Sequence, residues 1–342
     1  MGLNVGEIIP RKAINFTELK GKILAIDAYN AIYQFLSTIR QQDGTPLMDS
    51  KKRITSHLSG LFYRNLALLQ EGIKLVYVFD GIPPELKRLT AKRRSDIKQE
   101  ARERYEEAKR EEDIEAMNKY AKQTVHITPE IVKESTELLE AMGIQCIKAP
   151  GEAEAQASYL AKKNKVYAVG SQDYDALLFQ TPRLIQNLTL ARKRKTQTGF
   201  IFISPEIIEL EKVLNQLDIN HEQLICLAIL VGTDYNPGGI KGIGQKKALD
   251  LVRKHKSPVL IFKAVEEQLK KQAEEGKGFD WQEIFPLFSH PNVQDVEISL
   301  PQFNEKKIIE ILTKREFSEE RILSSLNKLK EVKEENKQKK LF

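Results

Sequence analysis

The sequence has few of the residues that form covalent cross-links or zinc sites. Two of its 342 residues are cysteines, Cys146 and Cys226, and both lie in apolar stretches. Isolated apolar cysteines predict reduced core residues of an intracellular protein, and they argue against a disulfide framework or a zinc site. The five histidines all lie outside the acidic motifs of the chain.

Long hydrophobic runs are also missing. No apolar run approaches the roughly 18 residues that a membrane-spanning helix needs. The N-terminus has no hydrophobic core of a signal peptide. We therefore expect a cytoplasmic protein with no membrane partner.

The overall composition is that of a globular protein with a basic surface. The hydrophobic fraction is 41%, the charged fraction is 30% and the formal net charge is +6. The length allows one large domain or two. A basic balance favours nucleic acid or another polyanion as partner, although it carries no information about the fold.

Acidic residues follow apolar runs at four points of this basic chain. The runs KILAID, KLVYVFD, VYAVGSQD and ICLAILVGTD end at Asp27, Asp80, Asp173 and Asp234. One such Asp would be better explained as a helix cap or a turn residue. Several together repel one another, so their gathering is unfavourable unless cations lie between them. The pattern therefore predicts an acidic pocket that holds divalent metal against a bound polyanion.

Two further acidic pairs have informative spacing. Asp175 follows Asp173 by two residues, and the two side chains point the same way if the backbone is extended. Glu152 and Glu154 stand in PGEAEA. Residues two apart on a regular helix face different ways, so these glutamates converge only at a helix entrance. Taken alone, they would be better explained as first-turn acids that complement the helix dipole.

Short apolar runs alternate with helical patterns in the first part of the chain. We predict strands at 22–27, 74–79, 144–147 and 165–170, and helices at 30–40, 54–70, 129–142 and 152–163. This alternation predicts an α/β fold with a central, mostly parallel sheet flanked by helices. Ligands of such sheets bind outside the carboxyl ends of the strands, where the strand-end aspartates can converge. From about residue 205 the chain turns mainly helical.

Residues 84–122 are helix-forming, densely charged and nearly devoid of large aliphatic side chains. A helix without an apolar face cannot pack into a core. Two interpretations stay open: a solvated surface helix laced with salt bridges, or a projecting helical segment that contacts a polyanion. The basic residues of its first half lie close in sequence to Asp80.

A basic stretch lies between two apolar runs within residues 183–204. The order RLIQNL, ARKRKTQTG, FIFIS predicts a hairpin or strand pair with a basic tip. A plain solvated loop is the alternative.

A glycine-rich segment, NPGGIKGIGQKK, follows Asp234. It is neither a Walker nor a dinucleotide motif, because no strand precedes it. We predict a hairpin between two helices whose glycines let the backbone approach a phosphate and whose second helix begins with basic residues. The form GIKGIG before a helix is typical of helix–hairpin–helix elements that grip a DNA backbone; a purely structural turn is the alternative.

Six motifs together resemble those of the flap endonucleases of the structure-specific 5′-nuclease superfamily, the archaeal members in particular. They are IDAYNAIYQFL, ITSHLSGLFYR, VYVFDGIPPELK, APGEAEAQASYLA, SQDYDALLF and LVGTDYNPGGIKGIG. The resemblance implies a PIN-like 5′-nuclease fold with one nuclease domain over residues 1–330 and a flexible tail over 331–342. Within the domain it implies a helical arch and cap at 84–122 and a helix–two-turn–helix element at 225–255.

The resemblance also implies roles for individual residues. Two Mg²⁺ ions, for which Mn²⁺ can substitute, are held by carboxylates: Asp27, Asp80, Glu152, Glu154, Asp173, Asp175 and Asp234. A basic pair at the base of the arch, Lys87 and Arg94, helps to position the scissile phosphate. K⁺ is bound by backbone oxygens of the 239–244 loop. Contacts to DNA come from Tyr33, Arg40, Gly239, Lys241, Gly242, Gly244, Lys246 and Lys247.

The implied activity is cleavage of a 5′ flap at branched DNA, with an associated 5′–3′ exonuclease, in Okazaki-fragment maturation and DNA repair. The implied protein is a monomer, associated with the archaeal nucleoid, that meets the sliding clamp PCNA through its tail. Two rivals remain: a nuclease of the same superfamily acting on nicks, gaps or four-way junctions, and a DNA-binding module that is not catalytic.

Two features depart from the pattern of the family. Gly151 stands where the family commonly has Ser, and we expect little effect because the neighbouring carboxylates are intact. Gln338 and Leu341 have the spacing of a clamp-binding tail, but the sequence stops at Phe342. Either the tail is truncated here or the contact with the clamp is weak.

Overall fold

A computed structural model gives the structure of the chain. It describes residues 5–111, 113, 116, 120, 124–188, 193–196 and 199–338.

The strands of the described residues are β1 (Lys12–Ala13), β2 (Ile23–Asp27), β3 (Lys74–Phe79), β4 (Gln145–Lys148), β5 (Ala168–Gly170), β6 (Arg183–Gln186), β7 (Lys193–Thr196), β8 (Gly199–Phe202) and β9 (Glu206–Glu209). Seven of them form a central sheet in the order β1-β9-β6-β5-β2-β3-β4, and β7 pairs with β8 separately. The neighbouring strands β4, β3, β2, β5 and β6 pair in parallel, and β9 pairs antiparallel with β6 and β1. The mostly parallel α/β sheet predicted from the sequence is confirmed.

Helices cover both faces of this sheet. They are α1 (Ala28–Thr38), α2 (Ser56–Gln70), α3 (Glu85–Arg110), α4 (Pro129–Ala141), α5 (Ala153–Lys162), α6 (Asp175–Leu178), α7 (Leu210–Leu217), α8 (His221–Val231), α9 (Gln245–His255), α10 (Pro258–Lys263), α11 (Glu266–Glu274), α12 (Trp281–Ser289), α13 (Glu305–Thr313) and α14 (Glu319–Gln338). Within the described part of the chain, none of them combines the length and apolar character that crossing a bilayer requires.

Alternate residues of the central strands enter two different hydrophobic cores. Leu24 and Ile26 of β2 pack with the helices α1, α2 and α4, whereas Ala25 between them packs with α5 and α8. On β3, Val76 belongs to the same core as Ala25, and Tyr77 belongs to the same core as Leu24 and Ile26. Successive side chains of a strand point to opposite faces, so a run that is apolar throughout is buried on both sides. This explains why these strands read as continuous hydrophobic runs.

The first part of the densely charged segment forms one long helix, α3. Helix α3 has 26 residues, which corresponds to about 39 Å at ~1.5 Å per residue. Its buried positions include two small residues, Ala101 and Ala108, at 3% and 4% exposure. These alanines are seven residues apart and therefore lie on one face. In the part of α3 whose side chains are described, the buried positions are thus small residues, which agrees with the lack of large aliphatics in the segment.

The hairpin prediction within 183–204 was partly wrong. The basic residues Lys193–Thr196 are themselves a strand, β7, which pairs with Gly199–Phe202. The apolar run at Arg183–Gln186 instead joins the central sheet, next to β5 and β9. The apolar run pairs where it can be buried, and the hairpin is left with a polar strand.

Candidate active site

Three aspartates lie at the carboxyl edge of neighbouring parallel strands. Asp27 is the last residue of β2, Asp80 follows β3 directly, and Asp173 lies shortly after β5. The strands β5, β2 and β3 are adjacent in the sheet. Asp27 also caps helix α1, since its carboxylate accepts a 2.9 Å hydrogen bond from the backbone N–H of Asn30. The edge position and the capping role therefore belong to the same side chain.

Helix α5 brings two glutamates to this edge at its entrance. Glu152 is the N-cap residue in an extended conformation, and Glu154 stands in the first turn. The carboxylate of Asp80 accepts a 2.7 Å hydrogen bond from the backbone N–H of Ala153, which ties the helix entrance to the end of β3. Glu152 and Glu154 approach the same region because Glu152 lies in extended backbone just before the helix begins at Ala153.

The backbone between Asp173 and Asp175 is not extended. Tyr174 has φ −81° and ψ −7°, and Asp175 opens the short helix α6. A turn of helix does not send residues two apart in one direction. Asp175 is nevertheless buried and close enough to Glu154 to raise the pKa of Glu154 by repulsion.

Burial and mutual repulsion disfavour ionisation in the centre of this site. The pKa of Asp27 is raised to about 7, first by burial and then by repulsion from Asp80, while the N–H of Asn30 opposes the rise. The pKa of Glu154 is raised well above its usual range by burial and by its negative neighbours Asp175, Asp27 and Asp173. Charged forms here need a cation to be stable.

The remaining acids join the same electrostatic network. Burial raises the pKa of Asp80, and so does repulsion from Glu152 and Asp234, against the hydrogen bond from Ala153. The structure therefore brings together all seven carboxylates, named hereafter the carboxylate cluster: Asp27, Asp80, Glu152, Glu154, Asp173, Asp175 and Asp234.

Lys87, in the first turn of α3, reaches into the carboxylate cluster. Its ammonium pairs with Glu152 and lies 3.8 Å from Asp234. Burial acts to lower the pKa of Lys87, but attraction from Glu152, Asp80 and Asp234 outweighs burial and raises it. Lys87 therefore stays protonated at neutral pH and supplies positive charge at this point.

The donor set suits a hard divalent cation. Within the described residues, no three or more His, Cys, Asp or Glu side chains form a group ready to hold one metal ion, and an ammonium contacts two of the acids. The cluster offers only oxygen ligands, which Mg²⁺ prefers. Buried like charges with raised pKa values are also the environment that a cation relieves. The residues present therefore fit Mg²⁺ or Mn²⁺.

Two neutral hydrogen-bond donors of the site were not predicted from the sequence. The side-chain amide of Asn30 donates to the carboxylate of Asp173 at 2.7 Å, and the hydroxyl of Tyr235 donates to Glu152. Asn30 stands three residues after Asp27 and Tyr235 directly after Asp234. Proximity to an acidic motif was the available signal, but an Asn or Tyr in a helical or loop context has many other uses.

The side chains expected to contact DNA divide by exposure. Tyr33 is 41% exposed on α1. Arg40 is half-buried and donates to the backbone oxygens of Leu36 and Gly44, at 2.9 and 2.6 Å, so much of its hydrogen-bonding capacity serves the local fold. The predicted role of Arg94 falls on a side chain outside the described residues.

The predicted glycine-rich hairpin lies between α8 and α9, as expected. Gly239 is buried at φ +56°, and a Cβ there would meet the carbonyl oxygen of Leu230 at 2.3 Å. This glycine therefore serves the packing of the hairpin against the end of α8 rather than an exposed contact. The other predicted positions are exposed: Lys241, Gly242, Gly244, Lys246 and Lys247.

Gln272 of α11 braces the same hairpin from behind. Its amide nitrogen donates to the carbonyl oxygen of Gly239 at 2.9 Å, and its oxygen accepts from the N–H of Lys241 at 3.3 Å. One side chain thus fixes a backbone carbonyl and a backbone N–H of the hairpin. The exposed part of the hairpin is held on a rigid base.

Known proteins resemble this chain along its whole length. The XPG N-terminal domain matches residues 6–101 and the XPG I-region matches residues 143–234. The flap endonuclease 1 of Pyrococcus furiosus is 50% identical over 342 residues, which cover 99% of this chain and 97% of the relative. That of Hyperthermus butylicus is 47% identical over 339 residues, covering 97% and 95%.

Solved structures agree with these sequence matches. Flap endonuclease-1 from Methanococcus jannaschii has a TM-score of 0.75 at 41% identity, covering 97% of this chain and 98% of that chain. The catalytic core of Rad2 in complex with a DNA substrate has a TM-score of 0.70 at 24% identity, covering 95% and 97%, which is a likeness of fold.

Proposed function

The chain belongs to the flap endonuclease 1 family, and we propose that it removes 5′ flaps from branched DNA with two Mg²⁺ ions held by the carboxylate cluster. The observation that carries the proposal is the convergence of seven buried or half-buried acids, in which burial and mutual repulsion raise the pKa values of Asp27, Asp80 and Glu154. Flap removal belongs to Okazaki-fragment maturation and DNA repair. The metal requirement and the role of each residue are the proposed part.

The metal ions would supply an activated water nucleophile and would neutralise charge on the scissile phosphate. The carboxylates hold and orient the ions. Lys87, fixed by Glu152 and close to Asp234, is positioned to neutralise the negative charge that develops during hydrolysis. We assign Arg94 to the same task because it stands two helical turns further along α3. Hydrolysis then needs no covalent intermediate with the protein.

The DNA would be held by its backbone rather than by its bases. Lys246 and Lys247 begin helix α9 beside an exposed Gly244, and a helix N-terminus with basic side chains favours a phosphate. Tyr33 offers an exposed ring on which a base near the cut can stack. The 84–122 segment would form the arch that admits a single-stranded 5′ end. Recognition of shape rather than sequence follows from this arrangement.

Further partners are proposed from the family alone. K⁺ would bind backbone oxygens of the 239–244 loop, and the sliding clamp PCNA would bind the C-terminal tail. We expect a monomer that works on the chromosome in the cytoplasm of an archaeal cell.

Cleavage of three labelled substrates tests the proposal. We expect the 5′-flap substrate to be cut with Mg²⁺ and left intact with EDTA, and nicked and four-way DNA to be cut far more slowly. Substitution of Mg²⁺ by Ca²⁺ should keep binding without cleavage. Equal cleavage of four-way DNA would favour a junction nuclease, and cleavage in EDTA would refute the metal mechanism.

A further inference from the structure

Asn30 connects two acids that come from different strands. Its backbone N–H donates to Asp27 at 2.9 Å and its side-chain amide donates to Asp173 at 2.7 Å. Asp27 ends β2, whereas Asp173 follows β5. One residue in the first turn of α1 therefore fixes the relative orientation of two carboxylates that repel each other.

The chemistry of this donor is informative. An amide nitrogen donates hydrogen bonds without adding positive charge. A lysine or arginine at the same place would neutralise Asp173 and compete with a metal ion for it. A neutral donor fixes one oxygen of the carboxylate without neutralising it. Asn30 therefore orients Asp173 and does not replace a cation.

Tyr235 makes a similar contact on the other side of the cluster. Its hydroxyl donates to Glu152, and the residue is 6% exposed. The ring packs edge-on against Phe288, with ring centres 5.2 Å apart at an angle of 71°. The core thus fixes the hydroxyl, and the hydroxyl fixes one oxygen of Glu152, whose other oxygen faces Lys87.

We propose that Asn30 and Tyr235 are positioning residues that hold Asp173 and Glu152 in the orientation needed to bind divalent metal. The proposal rests on the function proposed above and adds two neutral side chains to the metal centre. Residues that orient metal ligands typically contribute roughly ten- to hundredfold to metal affinity or activity. The effect of Asn30 should exceed that of Tyr235, because Lys87 still holds Glu152 when the hydroxyl is absent.

The test measures metal binding by the full-length protein in the absence of DNA. The variants Asn30→Leu, which keeps the shape of the side chain, and Tyr235→Phe, which keeps the ring, are titrated with Mn²⁺ by calorimetry. Tyr77→Phe is the matched control, because it also removes one buried hydroxyl hydrogen bond, the 2.8 Å contact with Asn65. Thermal unfolding in EDTA checks that each variant is folded, and Asn30→Ala replaces Asn30→Leu if that variant is not.

We expect the Kd for Mn²⁺ to rise roughly ten- to hundredfold in Asn30→Leu and about three- to tenfold in Tyr235→Phe. Tyr77→Phe should stay within about twofold of the wild type while its Tm falls. In single-turnover cleavage, the Mg²⁺ concentration for half-maximal rate should rise in the same order, and saturating Mg²⁺ should restore most of the rate.

Wild-type affinity for Mn²⁺ in both site variants would overturn the inference. The same holds if Tyr77→Phe weakens Mn²⁺ binding as much as they do, because general destabilisation would then explain the effect. A wild-type protein that neither binds Mn²⁺ nor requires metal for cleavage would instead refute the proposed function itself. The two failures are therefore distinguishable.

Discussion

Two clusters of charged residues are buried in this molecule, and they are built in opposite ways. The carboxylate cluster gathers acids that raise one another's pKa values. The second, which we name the Arg315 cluster, gathers acids around a guanidinium. Its members lie on the loop before α2, on α2, on α4 and after α13: Asp49, His57, Glu130, Glu134 and Arg315.

The Arg315 cluster pairs each acid with a fixed donor. The guanidinium of Arg315 lies 3.2 Å from Asp49 and 3.2 Å from Glu130, and it also pairs with Glu134. Asp49 receives a further contact from Arg53 at 2.7 Å. A planar guanidinium presents several donors at once, so one buried arginine pairs with three carboxylates from two parts of the fold, the loop before α2 and helix α4.

The pKa values of two buried aspartates express the contrast. Burial acts to raise the pKa of Asp49, but hydrogen bonds from Arg53 and Arg315 prevail and lower it. For Asp27, burial and repulsion prevail over the N–H of Asn30 and the attraction of Lys87, and they raise the pKa to about 7. Asp49 is stable as an anion in the folded chain, whereas the anionic form of Asp27 needs a nearby cation to be stable. Buried acids with raised pKa values mark functional sites more often than paired ones do.

The largest expected effect separates activity from stability in the carboxylate cluster. Asp173→Ala should lower single-turnover cleavage of a 5′ flap by at least a thousandfold, or about 4 kcal/mol in barrier, because it removes a proposed metal ligand. Removing one of several repelling charges should leave the Tm in EDTA unchanged or higher. Flap binding in Ca²⁺ should survive. Cleavage at the wild-type rate would remove Asp173 from the site.

For the Arg315 cluster we expect the opposite result, a loss of stability with little change in cleavage. Arg315→Met leaves Asp49 and Glu134 without the buried guanidinium that they share, which should lower the Tm by roughly 5–10 °C. The Tm of Arg315→Lys should lie between those of the wild type and Arg315→Met, because lysine keeps the charge but loses the planar guanidinium. Well below the Tm, cleavage should stay within about tenfold of the wild type.

A matched change in the other cluster sharpens this result. Lys87→Met also removes a cation from among acids. In this variant the cleavage rate should fall, and added Mg²⁺ should restore the Tm. If Arg315→Met abolished cleavage without lowering the Tm, the division between a structural and a functional cluster would be wrong.

The two clusters should respond to pH with opposite sign in EDTA. The pKa of Asp27 rises from 3.8 to about 7 on folding, so the folded state binds more protons and stability falls as pH rises toward and through 7. The pKa of His57 falls from 6.5 to about 4, chiefly by burial, so stability is lost as pH falls from 6.5 to 4. Each proton contributes at most about 1.4 kcal/mol per pH unit.

Unfolding measured across pH 4–8 separates the two contributions. Asp27→Asn should flatten the fall of Tm between about pH 4 and 7, and added Mg²⁺ should do the same in the wild type. His57→Leu should reduce the loss of Tm below pH 6.5. An identical pH profile in all three proteins would show that neither group governs stability.

The sequence predicted well those features whose signal is local. LVYVF is a run of buried apolar and aromatic residues, and together with the exposed Lys74 it forms the strand Lys74–Phe79 as expected. The placement of Asp27, Asp80 and Asp173 at one edge followed from the general topology of parallel sheets. Strand β7 was missed because KRKT has no apolar pattern and becomes a strand only through its pairing with Gly199–Phe202.

Contacts between distant residues gave no local signal at all. Asp49 and Arg315 are separated by 266 positions, so the sequence around either residue does not indicate its partner. Asn30 is similar: an amide in the first turn of a helix has no distinctive pattern, and its contact with Asp173 spans 143 positions. The sequence thus revealed the acids of the site, which repeat after apolar runs, but not the neutral residue that orients them.

The smallest effect is expected at the edge of the Arg315 cluster. The side chain of Arg53 is 38% exposed, whereas that of Asp49 is fully buried. Arg53→Met removes a contact that water can partly replace, and exposed pairs contribute little. Asp49 keeps Arg315 and the backbone N–H groups of residues 51 and 53. We therefore expect the Tm to fall by about 1–2 °C, several times less than for Arg315→Met. A fall as large as that of Arg315→Met would mean that Asp49 depends on both arginines together, and the cluster would then be a cooperative network rather than one centred on Arg315.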